Sequence, residues 1–94
     1  MITQKQNKIS EKDLEILKLL AHPARFKITL ELLHNQKLNV TQLTSLVDLP
    51  QSTISQHLSR MKGKILGFDR KGLEVYYYIN NETARKVVLT LLDK

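Results

Sequence analysis

A chain of 94 residues, 41% hydrophobic and 26% charged, makes one small globular domain with a modest core. It contains no cysteine, which excludes disulfides, thiol redox switches and thiolate metal sites, and no apolar run approaches the roughly 18 residues of a membrane span. Fifteen basic against nine acidic residues give a formal net charge of +6, which favours a polyanionic partner, nucleic acid being the commonest.

Met1 to Ile9 is polar and basic, through Lys5 and Lys8, and is expected to fray; Met1–Lys12 lacks the apolar centre of a signal peptide, so a cytoplasmic location is expected. Ser10-Glu11-Lys12-Asp13 resembles a capping box with Asp for Glu and opens a helix running to about Leu20. Leu14, Ile16, Leu17, Leu19 and Leu20 cover more than one face of it, so the helix either packs wholly within the monomer or buries one side against a partner chain. His22-Pro23 turns the chain into a second helix, Ala24 to about His34, with Pro23 at its first position and Phe26, Ile28, Leu30, Leu32 and Leu33 as core contacts. After the polar Asn35-Gln36-Lys37 comes a short extended segment, Leu38–Val40. Thr41 is expected to cap a third helix, Gln42–Val47, with Leu43, Leu46 and Val47 facing inward.

Asp48-Leu49-Pro50 is a tight turn into the stretch around which the chain is organised. Ile54, Leu58, Met61 and Ile65 recur at spacings of four, three and four, one buried stripe of a helix expected over 51–62. Its other side carries Ser52, Ser55, Gln56, Ser59 and Arg60, with no large apolar residue and no acid. Hydroxyls, an amide and a guanidinium are the groups that reach base edges and phosphates in a DNA major groove. A polar outside also suits an ordinary surface helix, but four Ser or Thr between Ser52 and Ser59 cost helix propensity that Glu, Lys or Ala would not. Helix, short turn, second helix is the spacing of a helix-turn-helix.

Beyond Gly63 the period changes. Ile65–Asp69 and Leu73–Ile79 are expected as strands joined by Arg70-Lys71-Gly72, with Gly72 suited to a positive φ. Such a hairpin after a recognition helix is a wing, whose Arg70 and Lys71 suit phosphates or a narrow minor groove. Between Gln51 and Gly72 the basic residues Arg60, Lys62, Lys64, Arg70 and Lys71 face Asp69 as the lone acid, so positive charge concentrates beside the polar helix face. Asn80-Asn81-Glu82 then opens a last helix whose Ala84, Val87, Val88, Leu91 and Leu92 form an apolar stripe that either seals the core or pairs with a copy of itself. The expected architecture is mainly α with a β-hairpin wing, a winged helix-turn-helix of order α-α-α-α-β-β-α forming a single domain over 1–94.

Leu20-Ala21-His22-Pro23-Ala24-Arg25, Gln51-Ser52-Thr53-Ile54-Ser55-Gln56-His57-Leu58, and Gly72 with Val75-Tyr76-Tyr77 resemble, in that order, the second-helix entry, recognition helix and wing of ArsR/SmtB-type repressors. Leu38–Gln42, Leu49–Thr53 and Gly72–Glu74 resemble the PagR-like branch. The resemblance implies a homodimeric repressor on an inverted-repeat double-stranded DNA operator. Pairing would go through the outermost helices, with Leu14, Ile16, Leu17, Leu20, Ala84, Val87, Val88, Leu91 and Leu92 as interface candidates. The DNA-binding candidates are Gln51, Ser52, Thr53, Ser55, Gln56, His57, Ser59, Arg60, Lys62 and Lys64, with Arg70 and Lys71 at the wing tip.

Departures from the family pattern bear on regulation. Gln42–Val47 carries no thiol, the last helix has no histidine and only Glu82 and Asp93 as acids, and His22, His34 and His57 are not at ligand spacing. No metal site and no cofactor are therefore expected; His22 and His34 are expected to cap or pack, and His57 to position the helix or touch phosphate. No nucleophile triad, phosphate-binding glycine loop or paired carboxylates point to an enzyme. The alternatives are a transcriptional activator, or a winged-helix module for RNA or protein. Tyr76, Tyr77 and Tyr78 alternate faces of a strand, which weakens stacking on unpaired bases.

Overall fold

The computed structural model describes residues 8–92; the expected fraying of the first segment, for residues 1–7, and Asp93 lie outside the described residues. Five helices and one antiparallel hairpin follow in the expected order: α1 (Glu11–Leu20), α2 (Pro23–Asn35), α3 (Val40–Val47), α4 (Gln51–Met61), β1 (Leu66–Lys71), β2 (Glu74–Ile79) and α5 (Glu82–Leu92).

Side chains next to the first free amides decide where most helices begin. Ser10 Oγ accepts from the Asp13 N–H at 3.0 Å, the half of a capping box that does not need the longer Glu side chain. His22 Nδ1 accepts from the Ala24 N–H at 3.1 Å, directly before Pro23. Asn81 Oδ1 accepts from the Ala84 N–H at 2.8 Å. At α3 the expected cap is corrected: Asn39, not Thr41, is the N-cap. Its Oδ1 accepts from the Gln42 N–H at 2.8 Å while Gln42 Oε1 accepts from the Asn39 N–H at 2.9 Å, a complete capping box. Asp48 closes α3 in the left-handed conformation, φ 63°, which Asp tolerates better than most residues.

The core forms where the helices cross. Ile54, Leu58, Met61 and Ile65 are all at most 1% exposed and meet Ile28 and Leu32 of α2, Leu43 of α3 and Val88 of α5 in one cluster. Thr29 is buried among them without an orphaned hydroxyl: its Oγ1 donates to the Arg25 carbonyl at 2.8 Å and lies 3.7 Å from Met61 Sδ. Leu46, expected to face inward, is 48% exposed. The short α3 meets α2 and α4 along its Leu43–Val47 edge, and Leu46 projects about 60° off the Leu43 direction.

The wing is held at its base. Leu66 pairs with Ile79 and Lys71 with Glu74, and Leu38 exchanges backbone hydrogen bonds with Tyr77 at 3.1 and 2.8 Å, a one-residue third strand. The hairpin tip differs from expectation. Arg70 and Lys71 belong to β1, and the two-residue loop is Gly72-Leu73, with Gly72 at φ +63° and Leu73 97% exposed. A glycine with positive φ at the first loop position is the pattern of a II′ turn, whose twist matches the flanking strands. Ile65, expected to begin the strand, is buried in the turn before it.

Asn39→Ala should lower folding stability by about 1 kcal/mol, whereas Thr41→Ala should stay within about 0.5 kcal/mol of the parent. Urea denaturation of both variants checks which residue caps α3; equal losses would contradict the capping box.

Candidate nucleic-acid interface

Burial of the inner stripe of α4 sets what its other side shows. Gln51, Ser52, Gln56, Ser59 and Arg60 are exposed, and Thr53, Ser55 and His57 are half-buried. At about 1.5 Å per residue the helix is roughly 16 Å long. Alone among the five described helices it starts without a side-chain cap, Pro50 standing at its N-cap. Its first backbone amides therefore have no side-chain acceptor from the protein. Lys62 closes it, with its ammonium 4.5 Å from the centroid of the Phe68 ring at the foot of the wing.

The cations divide into paired and unpaired sets. Lys64 binds Glu15 of α1 at 2.6 Å, both half exposed. Lys37, between α2 and α3, bonds the Asp69 carboxylate and lies 5.3 Å from the Tyr78 ring centroid. The Asp69 hydrogen bond raises the Lys37 ammonium above its ordinary value. The lone acid expected within the interface is thus covered by a lysine from outside it. Arg60, Arg70 and Lys71 are exposed and make no ion pair among the described residues. Lys37 has no sequence signal, since its partner lies 32 residues away.

His22, which caps α2, also packs on His57: the ring centroids lie 4.6 Å apart with the planes tilted by 55°, where α2 meets α4. His57 Nδ1 is buried with no hydrogen-bond partner in the described structure. Among the described residues no three His, Asp or Glu side chains gather as metal ligands. Arg25 approaches the same region: its Nε donates to the Leu19 carbonyl at 2.7 Å, and burial, then the Arg60 charge, hold it below the ordinary guanidinium value.

The expected pairing surface is also redistributed. Ile16, Leu20, Ala84 and Val88 are buried in the monomer core and Val87 packs against it, because α1 packs on α2 and α5. Ile16, Leu20, Ala84 and Val88 are not available to a partner, and Val87 only in part. Leu14 and Leu17 of α1 and Leu91 and Leu92 of α5 are exposed, as is Leu89, which the periodicity did not single out.

Burial first, then the neighbouring His22, Arg25 and Arg60, hold the His57 imidazole below its ordinary 6.5. The unfolded chain therefore binds this proton first, and stability should fall as pH drops from about 7 toward 5. Urea midpoints across that range check it: His57→Phe should flatten the dependence, and an unchanged slope would contradict the assignment.

Comparison with known proteins accords with this geometry. The family described as "Bacterial regulatory protein, arsR family" matches residues 22–64, from the His22 cap through α4 to Lys64. The transcriptional repressor PagR of Bacillus anthracis is 51% identical over 81 residues, covering 86% of this chain and 82% of that protein. Its crystal structure aligns at a TM-score of 0.82 over 86% of this chain and 93% of that one. The transcriptional activator HlyU of Vibrio cholerae is 34% identical over 94 residues, 100% of this chain and 86% of that protein. These relatives are regulators of transcription, not enzymes. With helix order, recognition helix and wing in agreement, the chain belongs to the bacterial ArsR family of winged helix-turn-helix, DNA-binding transcriptional regulators.

Proposed function

We propose that the protein is a cytoplasmic, homodimeric repressor that lays α4 of each subunit into successive major grooves of an inverted-repeat operator. The carrying observation is the outer face of α4, where Ser52, Gln56, Ser59 and Arg60 are exposed together with no acid and no large apolar side chain among them. Gln51, Ser52 and Gln56 read base edges, Ser59 stands at the phosphates beside them, and the half-buried Thr53, Ser55 and His57 set the helix against the groove wall. Arg60, Lys62 and Lys64 with Arg70 and Lys71 of the wing hold phosphates or the minor groove. The uncapped start of α4 adds free amides of the kind that accept a phosphate. Tyr76, Tyr77 and Tyr78 are all half-buried, which favours duplex DNA over a stacking platform for single strands.

Dimerisation rests on the exposed leucines of α1 and α5. These side chains are 40–49% exposed, so completing the burial of each contributes about half of the roughly 1.5–3 kcal/mol for a fully exposed leucine. Leu14, Leu17, Leu89, Leu91 and Leu92 from each subunit would therefore offset an association cost of about 4–15 kcal/mol. Two-fold pairing would set the recognition helices about 34 Å apart, one turn of B-DNA. No metal switch is part of the proposal, since the chain has no cysteine and none of its three histidines follows His57 in the sequence. Repression is chosen over activation on the likeness to PagR, which is a repressor at 51% identity, against HlyU, an activator at 34%.

Duplexes selected from genomic fragments test this. Gln56→Ala should cost about 1–3 kcal/mol on a selected duplex while leaving mixed-sequence DNA unaffected. Lys71→Ala should weaken both and reduce the salt slope by about one unit. Leu17→Glu should yield monomers in sedimentation equilibrium. Indistinguishable Gln56 and Lys71 variants would refute the division of roles, and a monomeric parent would refute the dimer.

A further inference from the structure

We propose a second phosphate-binding site, resting on the DNA-binding role above: a cleft between α1, α2 and the end of α4 in which Lys18, Arg25 and Arg60 clamp one DNA phosphodiester outside the major groove. The cleft is lined by Glu15, Lys18, Arg25, Ser59, Arg60 and Lys64, together with the aliphatic Leu19. Four cations face a single carboxylate, and that carboxylate is already engaged by Lys64 at 2.6 Å. Lys18, Arg25 and Arg60 are left without an anion among the described residues.

Such a cluster is unfavourable unless something negative enters it. Arg25 is not free to swing away, because its Nε is fixed to the Leu19 carbonyl at the end of α1. A guanidinium carries five N–H donors in a planar fork, so four remain for an oxyanion after that bond. Arg60 brings a second fork and Ser59 a hydroxyl, a donor set matched to the tetrahedral oxygens of a phosphate. Ser59 and Arg60 also belong to the exposed face of α4, so a duplex seated on that helix has its backbone beside the cleft. The cleft is open to solvent, which lets a continuous strand pass through. Lys18 and Arg25 lie on α1 and α2, outside both the recognition helix and the wing, and the clamp would fix the angle at which α4 enters the groove.

The test is fluorescence anisotropy over a range of potassium chloride with two probes, a genomically selected duplex and one of mixed sequence. Lys18→Gln should weaken both by the same factor and lower the salt slope by about one unit. Arg25→Gln should do the same. Since it also removes the bond to Leu19, its melting curve is recorded alongside, and the exposed Lys18 carries the test if that variant fails to fold. An unchanged slope for Lys18→Gln, with Lys71→Ala still lowering it, overturns the cleft and leaves the proposed function standing. Absence of duplex binding by the parent protein overturns both. Inorganic phosphate titrated at constant ionic strength separates the sources of the anion. If phosphate shifts the Lys18 and Arg25 amide resonances and the duplex does not, the cleft binds a free anion and its DNA assignment is wrong.

Discussion

The inner stripe of α4 is the constraint on which the rest of the molecule depends. Ile54, Leu58 and Met61 are buried, and a helix is rigid enough that fixing one face fixes the other. Rotating α4 by one residue, about 100°, would exchange these side chains for Ser55, Ser59 and Lys62. Each apolar side chain brought to water would cost about 1.5–3 kcal/mol, against a total stability of roughly 5–15 kcal/mol for a domain of this kind. The polar face therefore points outward because the core leaves it no alternative. The serines can serve recognition because packing, not their weak propensity, holds the helix.

Charge is arranged on the same principle of relief from elsewhere. Between Gln51 and Gly72 Asp69 is the one carboxylate, and it is covered by Lys37 from the α2–α3 connection. Glu15 is covered by Lys64. Exposed pairs of this sort contribute about 0–1 kcal/mol to stability, so their effect on folding is small. Their effect on the field is larger: each covers an acid that would repel a phosphate, while Arg60, Arg70 and Lys71 have no ion-pair partner among the described residues. Leu73 is exposed at the wing tip because the two-residue turn places it beyond the last strand pair.

What the sequence makes legible is what depends on near neighbours. The order of elements, the buried stripe of α4 and the hairpin all follow from spacings within a dozen residues, and the structure has them. Thr41, read as the cap of α3, gives way to Asn39, a cap residue of the same kind two positions earlier. The bridge from Leu38 to Tyr77 fixes where the chain leaves its extended course, and that pairing is not local. The wing tip slipped toward Arg70 for a similar reason, since register is set by pairs such as Leu66 with Ile79 at the other end. The stack of His22 on His57 joins residues 35 positions apart through helix packing alone. For α1 the sequence displays apolar residues on several faces without saying which meets α2 and α5; Ile16 and Leu20 do, and Leu14 and Leu17 do not.

α1 then emerges as the element that joins the other surfaces. Its inner side enters the core through Ile16 and Leu20, its outer side presents Leu14 and Leu17, and its Glu15 and Lys18 line the cleft beside Arg60. The contacts continue physically: the carbonyl of Leu19 holds Arg25 of α2, and His22 at the start of α2 stacks on His57 of α4. In the proposed dimer the outer leucines fix how one α1 sits on its partner. Those bonded and stacked contacts then carry that placement to the recognition helix within about two helix diameters. In that proposed dimer, helix spacing on the operator would follow from how α1 pairs, because the element that joins the subunits also touches the residues that hold α4.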